Sequence, residues 1–110
     1  MAKTAGDTAG KLDEAAMRRH VGSAARLVRS LANPHRLMLL CTLSAGEMSV
    51  SELNQRVPLS QSALSQHLAV LRKEGLVRTR REAQTIYYAV QEGPAMDIVR
   101  LLHRTYCGKA

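Results

Sequence analysis

Apolar residues recur every three to four positions as Met17, Val21, Ala24, Ala25, Val28 and Leu31, a spacing that predicts a long amphipathic helix running to Ala32. Asp13 and Glu14 favour its start, because acidic side chains suit the positive end of a helix dipole. Asn33-Pro34 ends that helix and opens another, with Asn as the capping residue and Pro at the first helical position. Leu37, Met38, Leu40, Cys41 and Leu43 follow, and the helix should stop near Ser44-Ala45-Gly46. Ser49-Val50-Ser51-Glu52 has the capping-box spacing and begins a short helix carrying Leu53 and Val57, which Pro58 closes. Ser60 caps the next helix, where Leu64, Leu68 and Leu71 form one stripe and Gly75 stands at the C-terminal cap.

From Leu76 the period changes to two. Val77, Thr79 and Arg81 alternate with Arg78 and Arg80, Thr85 to Val90 is β-branched and aromatic, and Glu82-Ala83-Gln84 turns between the two runs. Pro94 opens a last helix whose apolar surface comes from Met96, Ile98, Val99, Leu101, Leu102 and Tyr106, ending near Cys107-Gly108. The expected fold is mainly α with a small β-hairpin, a winged helix-turn-helix with an extra long helix at each end. Residues 1–11 lack periodicity and are expected to be a flexible N-terminal arm, leaving 12–110 as one domain. The apolar faces of the first and last helices exceed what so small a core can cover, which predicts a homodimer formed through them.

Charge narrows the partner. Sixteen Lys and Arg against nine Asp and Glu leave a formal charge of +7, which favours a polyanion such as double-stranded DNA. A membrane is disfavoured, since no apolar run approaches the roughly 20 residues of a bilayer span. The start of the chain has no apolar signal-peptide core, so a cytoplasmic protein is expected. With three Tyr and neither Trp nor Phe, a base-stacking platform for single strands is improbable.

The Leu64, Leu68 and Leu71 stripe turns Ser62, Ser65, Gln66 and Ala69 outward. Ser and Gln can exchange hydrogen bonds with base edges, and small side chains let the backbone approach a major groove. Ser60 and Gln61, at the positive end of the dipole, suit phosphate. A polar helix face is usually no more than a solvated face. The capped helix before this one and the arginine-rich hairpin after it favour DNA contact instead. In the hairpin Arg78, Arg80, Arg81 and Gln84 are candidate phosphate or minor-groove contacts, with Arg80 and Arg81 the stronger pair. His67, on the flank of the reading face, either bonds a phosphate or serves its own helix. A dimer would set two reading helices about 34–36 Å apart on an inverted-repeat operator.

Cys41 and Cys107 lie on two different predicted helices. In a reducing cytosol they are inert core groups, redox-active groups or metal ligands, and spacing alone leaves the choice open. Core packing suits Cys41, which shares a face with Leu37 and Met38, better than it suits Cys107 at the chain's end. For a thiol peroxidase or reductase the chain lacks a Cys-x-x-Cys and an evident base, and an architectural DNA-binding protein with inert thiols would ignore oxidants.

The segments Leu31-Ala32-Asn33-Pro34-His35-Arg36-Leu37, Ser60 to Leu68, and Gly75-Leu76-Val77-Arg78 through Tyr88 together resemble the ArsR/SmtB family of winged-helix repressors, over about residues 13–107. The resemblance implies a homodimeric repressor that leaves its operator when an inducer arrives. The family's arsenic-type members carry Cys-Val-Cys where this chain has Ser49-Val50-Ser51, whose hydroxyls cannot replace thiolates. Its zinc-type members place Asp and His pairs on the last helix. Here Asp97 and His103 are six apart, about 600° round the helix, so no metal site and no cofactor is expected. The two cysteines resemble those of the dithiol, persulfide-sensing (SqrR/BigR-like) branch. That likeness implies Cys41 and Cys107 as a redox-sensing pair, with reactive sulfur species as inducer. The alternative within the family is a metal or haem sensor drawing on Cys41, Cys107, His103 or His20. Both thiols lie near helix C-termini, where the dipole opposes thiolate formation by only about 0.3–1 kcal/mol, and His103 and Arg104 stand close enough to Cys107 to offset it, so no extreme activation is expected.

Overall fold

A computed structural model of the chain describes residues 11–108, so the expected arm falls outside the described residues except for Lys11. Helix α1 (Glu14–Leu31) starts where the acidic pair predicts, Asp13 Oδ1 accepting from the Ala16 amide at 3.0 Å. Its exposed carbonyls are met from outside: the Arg36 guanidinium donates to the Ser30 carbonyl at 2.8 Å and to that of Arg29 at 3.3 Å. Helix α2 (Pro34–Leu43) opens on Asn33 Oδ1, which accepts from the amides of His35 and Arg36 at 2.9 and 3.2 Å. The capping box forms in both directions at the start of α3 (Val50–Arg56): Ser49 N–H donates to Glu52 Oε1 at 2.8 Å and Glu52 N–H to Ser49 Oγ at 3.1 Å.

Ser60 Oγ accepts from the Ala63 amide at 3.1 Å and begins α4 (Gln61–Lys73). The helix ends as a Schellman turn. Gly75 takes φ +76°, the Gly75 amide donates to Arg72, and the Leu76 amide donates to Leu71 at 2.8 Å. Leu71 and Leu76, the two ends of that turn, are both buried, so the chain leaves the helix anchored in the core. The hairpin follows as β2 (Val77–Glu82) and β3 (Thr85–Val90), then α5 (Pro94–Cys107).

A short strand, β1 (Met48–Ser49), is absent from the periodicity. It pairs with β3, Met48 opposite Tyr88 and Ser49 opposite Tyr87, giving an antiparallel sheet in the order β1-β3-β2. Two residues carry no alternation to detect, and their pairing depends on a strand far along the chain. The sheet nonetheless fixes the wing's root against the start of α3.

The core is leucine-rich and centred on α2: Leu39, Leu40 and Leu43 meet Leu53 of α3, Leu64, Leu68 and Leu71 of α4, and Met96 and Val99 of α5. Helix α2 packs against α1, α4 and α5 alike. By contrast Met17, Val21 and Val28 on α1 and Leu101 and Tyr106 on α5 stay between 47 and 82% exposed, leaving an apolar surface on both end helices.

The hairpin closes through a two-residue turn, Glu82 pairing with Thr85, and its first turn residue, Ala83, sits at φ +57°. A Cβ there is strained, and hairpin turns of this kind favour Gly at that place. Ala83→Gly should raise unfolding stability by about 0.5–1 kcal/mol in urea titration; a loss of stability would contradict the strain.

Candidate nucleic-acid interface and thiol pair

Helix α4 presents the two faces its leucine stripe predicts. Leu64, Leu68 and Leu71 are buried, while Ser62, Ser65, Gln66 and Ala69 are exposed in a row of small and polar side chains. At its N-terminus Ser60 Oγ is already committed to the Ala63 amide and lies 3.4 Å from Ser62 Oγ. Gln61 borders an open groove of about 710 Å³ between the start of α3 and the hairpin, with Ser51 and Asn54 on its side and Gln84, Thr85 and Tyr87 across it. The fold thus brings Gln61 and Gln84, 23 positions apart in the chain, to one groove. The turn leading into α4 is held by Asn54, whose side-chain amide donates to the Leu59 carbonyl at 2.8 Å.

His67 is half-buried, its ring centroid 5.5 Å from that of His35 at the start of α2. Burial, followed by the nearby Arg36 and His35, holds its imidazole below the ordinary 6.5. The ring contact links α4 to α2, and local sequence could not show it because His35 comes from another helix.

The wing arginines divide. Arg81 is exposed and forms no ion pair among the described residues. Arg78 donates to the Val90 carbonyl at 2.7 Å, bracing the neighbouring strand. Arg80 is engaged on three sides: it pairs with Glu47, donates to Glu82 at 2.8 Å and lies over the Tyr87 ring at 4.6 Å from the centroid. Hydrogen bonds from Arg80 hold the Glu47 carboxyl below its usual range. Arg80 and Arg81, the two stronger candidates of the hairpin, thus differ in the free chain, where Arg81 carries the open charge. A further long-range contact joins the end helix to the reading helix: Arg26 of α1 grips Glu74 at the end of α4 through two bonds of 2.8 and 3.1 Å.

Cys41 and Cys107 are both free thiols, the first half-buried and the second exposed. Cys41 borders a hollow of about 420 Å³ between α2 and α5, together with Ser44, the buried Met96 and Val99, and Arg100, His103 and Arg104. Burial raises the Cys41 thiol above its ordinary value, and the charge of Cys107 raises it further. Cys41 is therefore a resting thiol at neutral pH. Among the described residues no three or more His, Cys, Asp and Glu side chains gather as a metal site, and His20 lies exposed on α1. No helix among the described residues is long and apolar enough to cross a membrane.

Residues 33–79 match the model of the family described as "Bacterial regulatory protein, arsR family". The chain is 50% identical over 91 residues to the transcriptional activator HlyU of Vibrio cholerae, covering 83% of this chain and 84% of that one. It is 40% identical over 103 residues to the biofilm growth-associated repressor of Xylella fastidiosa, covering 94 and 90%. The solved structure described as reduced HlyU from Vibrio cholerae aligns with a TM-score of 0.77 at 49% identity, over 83% of this chain and 96% of that one.

Because His67 has a depressed pKa, the unfolded chain takes up the proton first. Its contribution to stability is complete above about 6.5 and is lost as pH falls through the lower folded-state value. The urea midpoint should therefore fall between pH 7 and 5, above the range where the Glu47, Glu74 and Glu92 carboxyls titrate, and fall less in His67→Gln. An equal fall in both proteins would assign the proton elsewhere.

Proposed function

The chain belongs to the arsR family of bacterial regulatory proteins and is a DNA-binding transcriptional regulator rather than an enzyme, and we propose that it is a repressor that senses reactive sulfur species through Cys41 and Cys107. It acts as a homodimer joined through α1 and α5, and the wing and the exposed face of α4 grip an inverted-repeat operator. The named face contributes Ser62, Ser65 and Gln66 to base edges, Ser60 and Gln61 to phosphate, and Arg81, Arg78, Arg80 and Gln84 from the wing. His67 acts from behind, through its contact with His35.

One observation carries the sensing half. Cys41 stands on α2, whose buried leucines pack against both the reading helix and α5, and it faces a hollow bounded by the last turns of α5, the helix that ends in Cys107. A sulfur link between them ties the middle of the core to the end of the dimerisation helix. A direct disulfide draws the Cα atoms to within about 7 Å, and inserted sulfur relaxes that limit. Since a close-packed interior shifts between discrete arrangements rather than stretching, the link alters the spacing of the two reading helices. Two further facts favour thiol chemistry: a relative's structure is described as that of a reduced form, and the chain has two cysteines, both unbonded. The raised Cys41 thiol suits slow exchange with soft sulfur electrophiles better than fast reaction with peroxide.

Operator affinity should drop about 5–150-fold on polysulfide treatment of the reduced protein, a coupling of roughly 1–3 kcal/mol, and stay unchanged in Cys41→Ser and Cys107→Ser. Equal losses in all three proteins, measured by fluorescence anisotropy, would refute the dithiol switch. In the same assay Arg81→Gln should weaken binding to operator and to unrelated DNA alike and flatten the salt dependence by about 0.9 per dimer arginine lost from a phosphate. An undiminished salt slope would remove Arg81 from the interface.

A further inference from the structure

A carboxylate is out of place where α4 ends. The last turn carries Arg72 and Lys73, which suit the negative end of a helix dipole, and Glu74 then puts an acid on the cap itself. The helix gives no local reason for it, but Arg26, 48 positions away on α1, does. The Arg26 guanidinium donates through Nε to Oε1 at 2.8 Å and through Nη2 to Oε2 at 3.1 Å, a planar two-bond grip that sets direction as well as distance. The Glu74 side chain is only 19% exposed, against 60% for Arg26. Hydrogen bonds from Arg26 hold the Glu74 carboxyl below the usual carboxylate range against the effect of burial, and the charges of Lys73 and Arg29 lower it further. Helix α1 packs on α2 and α5, and among the described residues no other hydrogen bond joins it to α4.

We infer that Arg26 and Glu74 position the reading helix for DNA, clamping the C-terminal end of α4 to α1 and so fixing the angle at which each subunit of the dimer holds α4. The inference rests on the reading of α1 as a dimerisation helix and gives the operator's half-site spacing a structural origin. Both residues act through α4, as positioning residues, without touching DNA themselves. With 13 residues, α4 is about 20 Å long. A tilt of about 10° about the clamped end moves the end that carries Gln61 and Ser62 by about 3.4 Å, the rise of one base pair. Without the carboxylate, Arg26, Arg29 and Lys73 are left together with no acid between them, and their repulsion drives α4 away from α1.

The test uses an inverted-repeat duplex selected by the wild-type protein from random sequence, the same repeat with one base pair added or removed at its centre, and a duplex with a single half-site. Arg26→Glu, Glu74→Arg and the double reversal are compared by fluorescence anisotropy. Each single reversal should lower affinity for the selected duplex, relative to the half-site, by about three- to tenfold and flatten the preference among spacers; the double reversal should restore both. The two single reversals change net charge in opposite directions, so a bulk electrostatic effect would weaken one and strengthen the other. That outcome would overturn the clamp, as would a wild-type spacer preference in both single variants or a double variant that fails to recover. If sedimentation velocity finds the wild-type protein monomeric, it is the dimer reading that fails. The clamp is then decided within one chain, by the distance between spin labels at Ser23→Cys and Ala69→Cys in the protein lacking both native cysteines. A distance distribution that Arg26→Glu broadens and the double reversal narrows would support it, and one that no reversal alters would overturn it.

Discussion

The buried leucines of α2 are the constraint on which the rest of the molecule depends. Leu39, Leu40 and Leu43 have at most 1% of their surface exposed, and through them a single ten-residue helix contacts the reading helix on one side and the last helix on another. Interiors packed to this density do not absorb a displacement locally, because each shifted side chain displaces its neighbours. A pull on α2 is therefore felt by α4 and α5 together. For the proposed switch the position of Cys41 on this helix therefore matters more than its reactivity, which burial lowers.

The surface proposed to meet DNA has two kinds of preparation. Helix α4 is held from below by its leucine stripe and from its ends by local caps, so Ser62, Ser65 and Gln66 are presented on a rigid rod. The wing is shaped by charge instead. Arg80, between Glu47 and Glu82 and over Tyr87, stiffens the hairpin at the expense of its own availability, whereas Arg81 carries its charge outward. The exposed Arg26–Glu74 pair adds little stability, as surface ion pairs usually do. Its interest is geometric, since it connects α1, an end helix, with the last turn of α4.

The helices and the buried and exposed faces of α4 were legible in the sequence because their signals are local. Asp13, Asn33, Ser49 and Ser60 cap the helices they precede, Gly75 takes the left-handed conformation that ends α4, and the leucine period sorts inside from outside within one helix. What stayed hidden depends on partners distant in the chain: β1 needs β3, His67 needs His35, Arg80 needs Glu47 at 33 positions, and Arg26 needs Glu74 at 48. The turn at Ala83 was legible, but its backbone conformation was hidden for a different reason. Ala83 holds a positive φ without the Gly or Asn that would announce one. The cysteines lay between these cases: each was visible, but only the fold puts Cys41 beside a hollow that His103 and Arg104 of α5 also line.

In the proposed switch a covalent tie between α2 and the end of α5 is incompatible with the arrangement that holds the operator. Its most direct test removes sulfur chemistry altogether. The reduced protein is bridged from Cys41 to Cys107 with dibromobimane, the bridge is verified by peptide mass, and operator affinity is measured against protein alkylated at each thiol separately. An affinity loss of at least about fivefold is expected for the bridged protein, and little change for the singly blocked forms. Full operator affinity in a fully bridged protein would contradict it.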